Sequence, residues 1–217
     1  LDAGHGGHDS GARGVYGYEK DFALKMAYSV RDALTKRGFK TVMTRDTDSF
    51  ISLSGRFAVA NATPRSIFIS LHFNSGGSTA SGIETFALSP EGTANTQIGR
   101  STDFSSTNYR TGNKRDSENI ALATAVHAHV IHELSKLAQK VTNFKPPVDR
   151  GIKRARWSVL TGCLRPAILF EGGFVTNQGE GSLIASARYR EILAETIAYS
   201  VSMYKSALAP KLTNMDR

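Results

Sequence analysis

Two histidines and a glutamate crowd the opening stretch "LDAGHGGHDSGARGVYGYE", and a third histidine and another glutamate end apolar runs far down the chain. Imidazole nitrogens and carboxylate oxygens are donors that zinc takes, commonly three from the protein with a fourth position left for water. His5, Glu19 and His72 supply such a His-Glu-His set, and Glu171 supplies a carboxyl group for moving protons. Bound zinc brings the pKa of its water toward ~7. Amide hydrolysis also needs a carrier that takes a proton from water and gives it to the leaving amine. Burial at the end of an apolar strand raises a carboxyl pKa, which suits Glu171 to that task. The glycines around His5 let the backbone bend tightly and leave space for a substrate.

Each residue also has a plainer reading. A histidine at a strand end is commonly a hydrogen-bonded structural residue, and a glutamate at a helix start favours the helix dipole. The loop "GHGGHDSG" could cradle a phosphate, but it lacks the Gly-Lys-Ser/Thr ending of a P-loop, and Asp9 spoils a strict G-x-G-x-x-G. Asn74, two residues after His72, could bind substrate or brace the ligand loop. Glu84 in "GIETF" rivals Glu171 for the carboxylate role or serves as a partner for Arg56 or another base. His8 reads as a rim or substrate-side residue, or as a solvated loop residue. His127, His129 and His132 share a helix without a carboxylate constellation and read as ordinary helix residues.

The elements that must carry these groups alternate. "EKDFALKMAYSVRDALTKRG" spaces Phe22, Leu24, Ala27, Val30, Ala33 and Leu34 as a helix that stops at Gly38. "FKTVMTR" reads as a strand. "SFISLSGRFAVANAT" reads as a short helix with Leu53, Phe57 and Ala60 inward, closed by Pro64. "SIFISLHF" and "GIETFALS" read as strands. From Pro90 to about Lys114 the apolar pattern is lost in a Ser/Thr/Asn/Gly-rich insertion. A long helix follows over "DSENIALATAVHAHVIHELSKLAQKV", with Ile120, Ala123, Val126, Val130, Leu134 and Leu137 inside. "NFKPPVDRGI" is expected to be a linker, "WSVL" and "PAILFEGG" strands, and "SLIASARYREILAETIAYSVSMYKSAL" the last helix. The order predicts a single α/β domain over 1–217, with a mostly parallel twisted sheet, helices on both faces and a loop insertion at about 89–115. Ligands of such sheets collect outside the carboxyl ends of the strands, where His5, His72 and Glu171 all fall.

Composition sets the bounds. The chain has 217 residues, 40% of them hydrophobic and 21% charged, ordinary for a globular protein. No apolar run reaches the roughly 18 residues of a membrane span, and no signal peptide is visible. The lone Cys163 excludes a disulfide framework and a cysteine-based zinc site, and reads as a buried small hydrophobe. Basic residues exceed acidic ones by eight, which favours anionic polymers. They are scattered rather than striped, so a nucleic-acid partner is not expected.

In combination, the motifs "LDAGHGGHDSGA", "EKDFALKMA", "TRDTDSFISLSGRFAVAN", "SIFISLHFNS", "GIETFAL" and "RPAILFEGGFVTN" resemble the zinc-dependent N-acetylmuramoyl-L-alanine amidases, which cleave bacterial peptidoglycan. The resemblance covers most of the chain, apart from about Ser89 to Arg115. It implies one zinc ion on His5, Glu19 and His72 and a catalytic Glu171. It also implies a peptidoglycan substrate, a monomer and a periplasmic or extracellular location. The alternatives are a zinc peptidase cutting stem-peptide cross-links and a non-catalytic wall-binding regulator. Some members carry an inhibitory helix that plugs the site until an activator protein binds. The insertion here has few apolar residues to dock such a helix and reads as a wall or lid of the substrate groove. Gly55 stands where the family usually has a polar residue, which implies a looser second helix.

Overall fold

The computed structural model describes residues 1–92, 112–142 and 144–208. Most of the insertion singled out above therefore lies outside the described residues. The element order is β1 (Asp2–Ala3), β2 (Arg13–Gly14), β3 (Gly17–Tyr18), α1 (Glu19–Lys36), α2 (Leu53–Ala62), β4 (Phe68–Asn74) and β5 (Ile83–Leu88), then α3 (Asp116–Lys140), β6 (Asp149–Ala155), α4 (Ser158–Thr161), β7 (Ala167–Phe174), α5 (Gln178–Ala185) and α6 (Ala187–Leu208).

The main sheet runs β1-β4-β7-β5-β6. Its pairings are parallel except for β5 against β7, which is antiparallel. That one reversal matters for the site. It brings the beginning of β5 to the carboxyl ends of β4 and β7, so Glu84, Glu171 and His72 register side by side across three strands.

Alternation along the strands divides the interior in two. Ile69, Leu71 and Phe73 of β4, Ile168 and Phe170 of β7, and Ile83 and Ala87 of β5 face one core with α1, α3 and α6. Each large apolar side chain buried there contributes about 2 kcal/mol. Phe68, Phe86, Leu88 and Leu169 point to the other face, where Val159, Leu160 and Cys163 close a smaller core against Ala60 of α2. Helices thus cover both faces. The second face is the one that turns polar at His72, Glu171 and Glu84.

Several expected elements differ. "FKTVMTR" forms no strand; among the described residues its ladder-like bonds are Leu1 N to Val42 O (2.7 Å) and Thr44 N to Leu1 O (2.9 Å). "WSVL" is instead the short α4, because Leu160 and Thr161 both donate to Trp157 O. The strand on that edge lies earlier, in the supposed linker, as the polar β6 pairing with β5. The last helix breaks at Ser186, whose extended backbone (ψ 129°) separates α5 from α6. In α2, Leu53 is exposed and Arg56 takes the inward place with Ala60. Gly55 leaves α2 intact, since its N–H is capped by Ser52 Oγ at 3.1 Å. Among the described residues no helix is long and apolar enough to cross a membrane.

Candidate metal centre

Three ligand-type side chains from distant parts of the chain meet at one rim. His5 lies on the loop after β1, Glu19 opens α1, and His72 sits near the end of β4. One donor atom from each lies within 4.8 Å of the other two. His5 Nε2 and His72 Nδ1 approach the same oxygen, Glu19 Oε1, at 3.0 and 2.9 Å. The two imidazole rings stand edge to face, centroids 4.9 Å apart. Glu19 is fixed independently of them: Phe73 N–H donates to Oε1 (3.2 Å) and Ala12 N–H to Oε2 (3.0 Å).

Two glycines allow this close approach. A Cβ on Gly4 would overlap the His72 ring. One on Gly11, whose φ is 62°, would sit 2.6 Å from the His5 ring and 2.7 Å from Glu19 Oε2. Both Asp9 oxygens lie 2.9 Å from His5 Nδ1. A carboxylate on one ring nitrogen orients the other toward a metal, and here the other nitrogen faces Glu19 and His72.

The charges follow from the packing. Burial pushes the Glu19 carboxyl up, but hydrogen bonds from His5 and His72 outweigh it and hold the group ionised. Burial pulls the His5 imidazole down, and Glu19 and Asp9 more than reverse this. Two imidazole nitrogens around one carboxylate form a donor set of the kind that zinc takes. Three donors also leave an open position. The residues present fit a divalent ion.

Glu171 lies beside them, its Cα in register with His72 on one side and Glu84 on the other. Its Oε2 is buried and finds no hydrogen-bond partner. Burial, then the charges of Glu19 and Glu84, push its carboxyl well above the ordinary range, with Lys153 opposing. A carboxyl that is readily protonated beside a metal centre is a suitable proton carrier.

Glu84 has a different setting. Arg150 Nε donates to its Oε2 at 2.9 Å, Lys153 Nζ to the same oxygen and Asn74 Nδ2 to Oε1. Burial raises its pKa, but Lys153 and Arg150 overcome that and keep it ionised. Its basic partners are therefore Arg150 and Lys153, while the expected Arg56 pairs with Asp2 instead (2.8 Å). Asn74 braces, bonding Glu84 and the backbone of Ser75. His8 is exposed and stacks on Phe50 at 4.1 Å, outside the cluster.

The helical histidines scatter. His127 is buried between Thr85 (3.1 Å) and Asp149 (2.9 Å). His129 lies against Ala125 O and Ser200, and His132 is exposed. Among the described residues, His5, Glu19 and His72 form the one group able to hold a metal.

The family described as Amidase_3, N-acetylmuramoyl-L-alanine amidase, matches residues 1–203. The chain belongs to that family. It is 31% identical to YqiI of Bacillus subtilis (strain 168), over 94% of this chain and 82% of that protein. It is 30% identical to the N-acetylmuramoyl-L-alanine amidase AmiC of Escherichia coli O6:H1, over 94% of this chain and 52% of AmiC, so it spans about half of that relative. Among solved structures, the N-acetylmuramoyl-L-alanine amidase of Clostridium difficile 630 superposes with a TM-score of 0.74 at 29% identity, covering 95% of each chain. Family membership makes this α/β domain an amidase of the peptidoglycan-cleaving class, consistent with action on the cell wall.

The sequence carries no sign of Arg45 in this region and offers Arg56 only as a partner for Glu84. Both are buried, and both bond the backbone under His5. A signal was present for Arg56, which lies one helical turn before the inward Ala60.

Proposed function

We propose that this chain hydrolyses the amide between N-acetylmuramic acid and L-alanine in peptidoglycan, with one zinc ion held by His5, Glu19 and His72. The observation that carries the reading is the convergence of those three donors beside Glu171, whose buried Oε2 has no hydrogen-bond partner. When bound, zinc supplies Lewis acidity at the scissile carbonyl and makes water acidic enough to lose a proton near neutral pH.

The protein's own groups do the rest. Glu171 takes the proton from water and delivers it to the departing amine of L-alanine, so one carboxyl serves both halves of the reaction. Its high proton affinity suits the second transfer. Glu19 stays ionised and acts as ligand rather than acid. Asp9 holds the His5 ring in the orientation that presents Nε2. Asn74 and Glu84 form the wall next to Glu171, and exposed His8 lies at the rim.

On this reading the enzyme works in the periplasm or outside the cell, and a site built at a surface rim suits control by an activator protein. Digestion of purified peptidoglycan tests the reading. Released peptides should begin with a free L-alanine amine, and a chelator should stop their release. Cross-link cleavage without such peptides would assign the site to a peptidase. Metal binding without any product would make it a wall-binding regulator.

A further inference from the structure

His5 stands at φ 60°, a left-handed conformation that, among the described residues, only Arg65 shares outside glycine. A side chain persists there when its surroundings over-determine the backbone. Here the surroundings are two guanidinium groups, Arg45 and Arg56, each 3% exposed. Together they occupy three successive carbonyls leading into the ligand loop. Arg45 donates to Ala3 O (2.9 Å) and Gly4 O (2.7 Å); Arg56 donates to Ala3 O (2.7 Å) and His5 O (2.7 Å).

The same two groups reach the other ligands. Arg45 also donates to Lys20 O (2.9 Å), one residue past Glu19, and to Thr47 O (3.0 Å). It therefore ties the segment before His5 to the first turn of the helix that carries Glu19. Arg56 forms a buried ion pair with Asp2 (2.8 Å), and Asp2 accepts from Ser70 Oγ (2.6 Å), two residues before His72. That chain of contacts ties His5 to the strand that carries His72. Thr44 Oγ1 donates to Asp2 as well (2.7 Å), and Arg56 Nε to Ile51 O (3.1 Å).

Two like charges are thus buried side by side, with one carboxylate in direct contact. Packing alone does not call for that; an apolar residue would fill the space without desolvating a charge. Only a planar fork with several fixed donors can hold three carbonyls and a helix start at once.

We infer that Arg45 and Arg56 are positioning residues for the metal centre: Arg45 sets His5 against Glu19, and Arg56, through Asp2 and Ser70, sets His5 against His72. The inference rests on the metal reading above. It predicts that replacing either fork by a single point charge loosens the ligands relative to one another while keeping the positive charge.

The test is titration of the metal-free protein with Co2+, followed by calorimetry and by the visible absorption of the bound ion. Arg45→Lys and Arg56→Lys are each expected to bind about ten- to a hundred-fold more weakly than the parent, the loss typical of residues that orient ligands. The cobalt spectrum should change shape. Val130→Ala, in the core of α3, should lower the melting temperature and leave both affinity and spectrum unchanged. Asp2→Asn keeps the shape but weakens the hold on Arg56, and should cost a smaller factor. If Arg45→Lys does not fold, the other two variants decide.

Parent-like affinity and spectrum in the folded arginine variants, whatever their melting temperatures, would overturn the inference. A parent that binds no cobalt would instead remove the metal reading beneath it.

Discussion

Glu171 and Glu84 are neighbours on adjacent strands, in register and on the same face of the sheet, yet their surroundings give them opposite characters. Glu84 is held by Arg150, Lys153 and Asn74, and the two cations outweigh its burial and keep it ionised. Glu171 has one buried oxygen with no partner, and burial, then two nearby carboxylates, raise its proton affinity. Position in the sheet does not distinguish them; the contents of the flanking strands do. Two carboxylates whose surroundings push their pKa values apart divide into a structural or charged role and a proton-carrying one.

Substitution should expose that division. Glu171→Ala should lower kcat by about 10²–10⁴-fold, the usual contribution of a general acid–base, while metal content by atomic absorption stays at the parent level. Metal loss in this variant would turn Glu171 into a ligand and collapse the contrast. Glu84→Ala should destabilise the fold by about 2 kcal/mol, since it strips two cations of their charged hydrogen-bond partner. Urea denaturation measures this, and an unaffected midpoint would show that the pairing contributes nothing.

A pH series sharpens the comparison further. A carboxyl whose folded pKa is raised is worth most to stability below its unfolded pKa, and that contribution is lost as pH rises through the folded value. Glu171 is such a group, so metal-free parent and Glu171→Gln should be closely matched near pH 4. The variant should gain on the parent toward pH 8, by about 1 kcal/mol. Glu84 is lowered, so its contribution is present above its unfolded pKa and fades only in stronger acid. A stability difference between parent and Glu171→Gln that shrinks as pH rises would reverse the assignment. The smallest effect belongs to His132→Ala, at an exposed position of α3, within about 0.5 kcal/mol of the parent and with unchanged turnover.

Much of this was legible in the residues. His5 follows the first strand, His72 and Glu171 lie at the ends of apolar runs, and the rule that ligands gather at the carboxyl ends of strands places them together. Glu19 belongs with them because the glycine loop must deliver the chain from β1 to α1. What stayed hidden depends on contacts rather than patterns. Strand β6 carries Arg150, Lys153 and Arg154 in place of an apolar face, because it pairs on one side with β5 and its cations answer Glu84 and Asp116. It therefore read as a linker. "WSVL" has the composition of a strand, yet four residues closing a turn onto Trp157 O need no sheet partner. The reversal of β5 has no sequence signature, and without it Glu84 would lie at the far end of the sheet from Glu171. Arg45 and Arg56 act on backbone carbonyls, which look alike in every sequence.

Metal analysis of the parent beside His72→Ala tests the central claim most directly. After purification with zinc present and exhaustive dialysis, the parent should retain one tightly held zinc ion per chain. His72→Ala should retain almost none while keeping the parent's circular dichroism. Equal zinc in both proteins would contradict the claim that His5, Glu19 and His72 form one site.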